Sequence, residues 1–154
     1  PPKPGPEHQK LAYFAGDWVS DVDMKPSPFG PGGKSTTTGH AEWMPGGFFL
    51  VSHAHWKGTA MGDGTEVSVL GYDPNEKVYT YHSFNSMGES DFSKGTVEGD
   101  TWTWLSDNKM GGKPMKGRFT IKTLSPTSYT FKFEIAPETG AWSTVMDGKA
   151  TKTK

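Results

Sequence analysis

The sequence predicts an all-β chain folded as one antiparallel up-and-down β-barrel of about ten strands behind a short N-terminal helical turn. Three observations point there. Twenty glycines and twelve prolines in 154 residues interrupt the chain too often for long helices. Nine Phe, six Trp and five Tyr supply the side chains that fill pleated surfaces. Short runs of alternating polarity recur along the whole length, with turn residues between them. The length fits a single domain over residues 1–154, because half of it would be too small to bury a core without disulfides or metals, and cysteine is absent.

Residues 1–10, PPKPGPEHQK, are proline-rich and polar and are expected to be extended, with a short helical turn over 7–14 carrying the first apolar cluster, LAYF. From Trp18 the period changes to two. Trp18, Ser20, Val22 and Met24 alternate with Val19, Asp21, Asp23 and Lys25, the pattern of a half-buried strand. PSPFGPGG at 26–33 ends it. Residues 34–44 and 48–56 make a hairpin around Pro45, Gly46 and Gly47. Residues 66–72 and 78–85 make a second around DPNEK, where Asp73 and Pro74 favour a tight turn.

Residues 90–97, 101–106, 115–124, 127–135 and 142–151 complete the series, separated by EGD, NKMGGK, SPTS and PETG. The clearest alternation is Tyr129, Phe131, Phe133 and Ile135 against Thr130, Lys132 and Glu134. Strand 78–85 is ambiguous, since Val78, Thr80, His82 and Phe84 read as well for the interior as Tyr79, Tyr81, Ser83 and Asn85. A meander of this length curls, because an open sheet leaves two exposed edges and closure removes both. The glycine-rich turns 26–34, 60–65 and 108–114 are expected to rim the mouth, with Met61, Met110 and Met115 as an adaptable apolar lid.

Gly16-Asp17-Trp18, at the end of LAYFAGDW, resembles the Gly-x-Trp opening of the lipocalin and fatty-acid-binding (calycin) superfamily, in which a helical turn leads into the first barrel strand. With GYDPNEKVYTYHSF (71–84) and GRFTIKTLSPTSYTF (117–131), the chain resembles a bacterial lipocalin-like family of unknown function over nearly its whole length. The resemblance implies an interior cavity and a Trp18 packed at the closed end, but no reaction. The arginine that lipocalins set against this tryptophan has no counterpart, the final strand offering Lys149 and Lys152 instead.

A net charge of -1 with both signs interspersed argues against nucleic acid as a partner. No apolar run approaches the ~20 residues a membrane-spanning helix needs, and no charged-then-apolar secretory signal is present. A soluble protein is therefore expected, either cytoplasmic or exported after loss of a leader. The first functional expectation is the binding of a small apolar or amphipathic molecule. Its wall would be built from Trp43, Phe49, Tyr81, His82, Trp102, Trp104, Phe131 and Phe133, with Tyr81 and His82 as polar handles.

The second expectation is an enzyme using the same cavity. His53-Ala54-His55 places two imidazoles on one face ~7 Å apart, and His82 from a nearby strand could complete a metal site. The same histidines could serve without metal as acid and base beside Glu42 or Tyr81. Haem held by one of them is a third possibility, and no cofactor is predicted outright. Arg118, the single arginine, could anchor a ligand carboxylate, but parity groups it with Lys116, Thr120 and Lys122 on the solvent side. No phosphate loop, dinucleotide fingerprint or Gly-x-Ser-x-Gly elbow occurs.

Overall fold

In the computed structural model, which describes residues 1–27, 30–58 and 62–154 (Met110 by its backbone alone), ten strands follow a helix and a 3-10 turn. The helix is α1 (Pro6–Lys10), and the 3-10 turn spans Leu11–Phe14. The strands are β1 (Gly16–Met24), β2 (Gly33–Trp43), β3 (Leu50–Lys57), β4 (Gly64–Asp73), β5 (Val78–Asn85), β6 (Ser90–Glu98), β7 (Thr101–Met110), β8 (Lys113–Ser125), β9 (Ser128–Pro137) and β10 (Ser143–Lys152). Each pairs antiparallel with its neighbour in sequence, and β1 pairs with β10 to close the barrel. The predicted barrel and its ten strands are both present.

Two local expectations change. The segment expected to be extended over 1–10 turns helical at Pro6. Proline suits the first helical position because its ring fixes φ and its missing N–H has no partner there, and the Gly5 N–H donates to His8 Nδ1 at 3.2 Å. The NKMGGK loop shrinks to the two residues Gly111 and Gly112, whose φ values of 58° and 79° suit the tightest hairpin turn. Strands β7 and β8 therefore extend to the turn, pairing Lys109 with Pro114 and Met110 with Lys113.

The turns that follow the odd-numbered strands lie at one end of the barrel, and those that follow the even-numbered strands lie at the other with both chain termini. The three glycine-rich turns thus share an end. Residues 28–29 and Met61 lie outside the described residues, as does the Met110 side chain; Met115 is half-buried in β8.

The opposite end is plugged. The 3-10 turn inserts Leu11 and Phe14 among Leu50, Tyr79 and Trp102. Tyr13 Oη donates to the carbonyls of Ser125 (2.8 Å) and Ser128 (2.9 Å), and Tyr79 Oη donates to the Glu7 carbonyl at 2.8 Å. Trp18 Nε1 donates to the Phe14 carbonyl at 3.0 Å. Lys152 Nζ lies 5.0 Å from the Trp18 ring centroid, a cation–π contact. A lysine therefore stands where the resemblance expects arginine.

In β1, β8 and β9 the apolar lines of Trp18, Val22 and Met24, of Phe119 and Ile121, and of Tyr129, Phe131 and Phe133 face inward, as their alternation predicts. Towards the mouth of β4–β7 the pattern reverses. Glu66, Ser83, Asp91 and Ser106 line the interior, while Val67, Phe84, Phe92 and Leu105 are exposed outside. Polar side chains therefore line the interior at the end opposite the N-terminal helical segment. Among the described residues no helix is long and apolar enough to cross a membrane.

Candidate functional site

The interior holds a cavity of about 640 Å³ between the mouth and the plug, within the range that encloses a small organic molecule. Its two walls differ in chemistry. Strands β8 and β9 contribute Phe119, Phe131 and Phe133, with Phe119 and Phe131 stacked at 5.7 Å. Strands β1–β7 each contribute an inward hydroxyl, from Ser20, Thr37, Ser52, Ser68, Ser83, Ser93 and Ser106. Gly39, Ala41 and Ala54 keep the space between the walls open.

Trp104 lies against the inner wall over Gly95, where a Cβ would come 2.4 Å from the indole. Only glycine lets the ring approach that closely. Trp104 stacks with Trp102 at 6.1 Å and stands 6.0 Å from Tyr81.

The most polar feature of the cavity is Glu66 on β4. Tyr81 Oη, from the adjoining β5, donates to Glu66 Oε1 at 2.5 Å, and Ser68 and Ser83 line the cavity from the same two strands. Burial raises the Glu66 carboxyl above its ordinary value of 4.5; the Tyr81 hydrogen bond opposes this, and Asp91 and Glu89 nearby raise it further. Burial first, and then the Glu66 charge, raises the Tyr81 phenol well above 10.0. Among the described residues, no Lys, Arg or His forms an ion pair with Glu66, Glu89 or Asp91, all of which line the cavity.

A carboxyl whose pKa is raised on folding stabilises the fold in its protonated form. That contribution is complete below the ordinary 4.5 and is lost as pH rises through the raised folded value. Glu66→Gln keeps an acceptor for Tyr81 and removes the charge. Its melting temperature is expected to match that of the wild type at pH 4 or below and to exceed it increasingly as pH rises towards neutrality. Thermal melts across that range check the sign; a variant less stable than wild type at pH 7 would contradict it.

The residues predicted for the site divide by face and depth. Tyr81, Trp104, Phe131 and Phe133 line the cavity. Trp102 is 4% exposed and lies in the plug cluster with Phe14 and Tyr79. Trp43 packs against the same cluster, and Phe49 is 44% exposed in the β2–β3 turn at the closed end. His82 is outside, its ring 4.4 Å from Phe92. Tyr81 and His82 are sequential in one strand and cannot share a face.

His53 and His55 are also exposed, on β3, with β4 between them and the strand of His82. Among the described residues no three His, Cys, Asp or Glu gather closely enough to hold a metal. None of these three histidines reaches the cavity beside Tyr81. Glu42 is on the outer face with His40, 3.7 Å from Nε2, while Asp17 accepts from His40 Nδ1 at 2.5 Å and raises the imidazole pKa. Arg118 faces outward, as parity predicts. It pairs with Glu134 through Nε (3.0 Å) and Nη2 (3.2 Å) beneath Trp142, whose ring centroid is 4.1 Å from Cζ, and it holds the Glu134 carboxyl below 4.5.

Sequence reasoning missed Glu66 and the ring of hydroxyls. Small polar residues at every second position, as in Glu66 and Ser68 or Ser83 and Asn85, were the available signal. They carry meaning only once the inward register is known.

The model of a family described as "Protein of unknown function (DUF1579)" matches residues 3–152. No curated protein matches the chain. Among solved structures, the chain is similar to Rv2717c from M. tuberculosis at 12% identity, covering 97% of this chain and 99% of that one with a TM-score of 0.65, a likeness of fold alone. Two others are a redesigned beta barrel, b11L5F_LGL, at 13% identity, 94% and 95% coverage and a TM-score of 0.41, and EF1p2_mFAP2b bound to DFHBI, at 13% identity, 95% and 98% coverage and a TM-score of 0.42.

Proposed function

The chain belongs to the DUF1579 family, whose description assigns no function, and we propose from the site itself that the barrel binds one small amphipathic molecule in its interior. The observation that carries this is the cavity of about 640 Å³, plugged at one end, with phenylalanines on one wall and hydroxyls on the other. An amphipathic molecule satisfies both walls at once, whereas a wholly apolar one would leave the hydroxyl wall without partners. We also propose kinship with the lipocalin-like superfamily. It is supported by the Gly16-Asp17-Trp18 opening, the helical plug before β1 and the cation of Lys152 over Trp18.

Calorimetric titration tests the binding. The probe is 1-naphthylmethanol, whose flat apolar body and single hydroxyl match the two walls. One site per chain is expected. Ala54→Phe, which puts a ring into the cavity from β3, should weaken binding by about tenfold or more and leave a folded barrel by circular dichroism. Undiminished affinity in that variant, or failure of both this alcohol and the corresponding amine to bind the wild type, would overturn the proposal.

A further inference from the structure

We infer that the cavity selects ligands whose polar end is a protonated amine, with Glu66 as the counter-charge. This rests on the binding proposed above and names the chemical class of the ligand.

The charges around the interior are one-sided. Glu66, Glu89 and Asp91 line the cavity without a basic partner among the described residues. The basic residues nearest to it are already engaged. Lys25 at the mouth pairs with Asp23 at 2.7 Å and Asp147 at 3.5 Å, and the His40 side chain, on the outer face, is held by Asp17 and Glu42. Among the described residues that line the cavity, a ligand carboxylate would meet like charge and no unpaired cation. An ammonium group meets the reverse arrangement.

The groups beside Glu66 favour the same chemistry. Tyr81 donates to Oε1, and among the described residues Oε2 receives no hydrogen bond and is available to an N–H donor. The single proton of the Tyr81 hydroxyl is directed at Glu66. The Trp104 ring, 6.0 Å from that of Tyr81, adds aromatic surface to the same cavity. An ammonium would then be bound at Glu66 with its apolar body on the Phe119 and Phe131 wall.

The test uses the full chain and three probes on one naphthalene body: 1-naphthylmethylamine, 1-naphthylmethanol and 1-naphthoate, titrated by calorimetry at pH 7. The amine is expected to bind about tenfold or more tightly than the alcohol, and the carboxylate most weakly. Ala54→Phe should weaken binding of the amine by about tenfold or more, placing it in the cavity. Glu66→Gln should bring the amine down to the alcohol's affinity, while Tyr81→Phe, which keeps the carboxylate, should retain the preference. Equal affinities for amine and alcohol in the wild type would overturn the inference and leave the binding proposal standing. If none of the three binds, both fall. The wild-type ranking decides the matter even where a variant does not fold.

Discussion

Gly148→Val is expected to destabilise the barrel by about 3 kcal/mol or more and to lower its melting temperature by roughly 6–12 °C. Gly148 stands opposite Val22 across the β1–β10 seam and opposite Phe131 on β9. A Cβ there would come 2.2 Å from the Asp21 carbonyl oxygen and 2.5 Å from the Phe131 ring. The ring could swing aside, but the carbonyl belongs to the backbone of the neighbouring strand. Relief therefore requires β1 and β10 to separate, and these are the strands whose pairing closes the barrel. Valine adds two methyl groups to that obstruction, so Gly148→Ala should change stability in the same direction and by less. Denaturant unfolding measures the loss, and hydrogen exchange locates it, with faster exchange in β1 and β10 than in β4 and β5. A Gly148→Val protein of wild-type stability would show that the close approach is not a constraint.

That seam joins the first strand to the last, and the sequence pattern foretells it only indirectly. Ten alternating runs with short turns describe a meander, and the cost of two open edges predicts closure. Register and facing are less legible. Where the inner wall is apolar, as along Tyr129, Phe131 and Phe133, apolar side chains mark the inward face and parity reads correctly. Arg118 follows the same logic in β8 and faces outward. Where the inner wall is polar, the rule fails. Phe84, 58% exposed, is the most hydrophobic residue of β5, yet the inward face belongs to Tyr81, Ser83 and Asn85. His82 was drawn into the expected site by the same apolar company. Glu66 carries no sequence signal of its own, since a charged residue at the start of a strand reads as surface. The polar wall of the candidate site occupies the part of the barrel whose polarity pattern is reversed, so the residues that form that wall are the ones that alternation alone assigns to solvent.

Leu11→Ala is expected to cost between about 2 and 5 kcal/mol, the range for truncating a leucine that cannot be replaced by collapse of its surroundings. Leu11 is 0% exposed and shares a cluster with Leu50, Tyr79 and Trp102. Two of those neighbours are large rings. Tyr79 is tied by its hydroxyl to Glu7 and Trp102 is stacked on Trp104, so neither can move in to fill the void. The loss should also reach the ligand. The same 3-10 turn carries Phe14, which forms part of the cavity lining and accepts the Trp18 indole N–H at its carbonyl. Loosening the turn frees the floor on which a bound molecule would rest. Denaturant unfolding should therefore show lower stability, and calorimetry weaker binding of 1-naphthylmethylamine in the folded fraction. Gly148→Val offers the comparison, because it acts on the wall and leaves the plug contacts in place. If Leu11→Ala leaves affinity unchanged while stability falls, the plug serves the fold alone; if both fall together, the segment that closes the barrel also makes the interior a binding site.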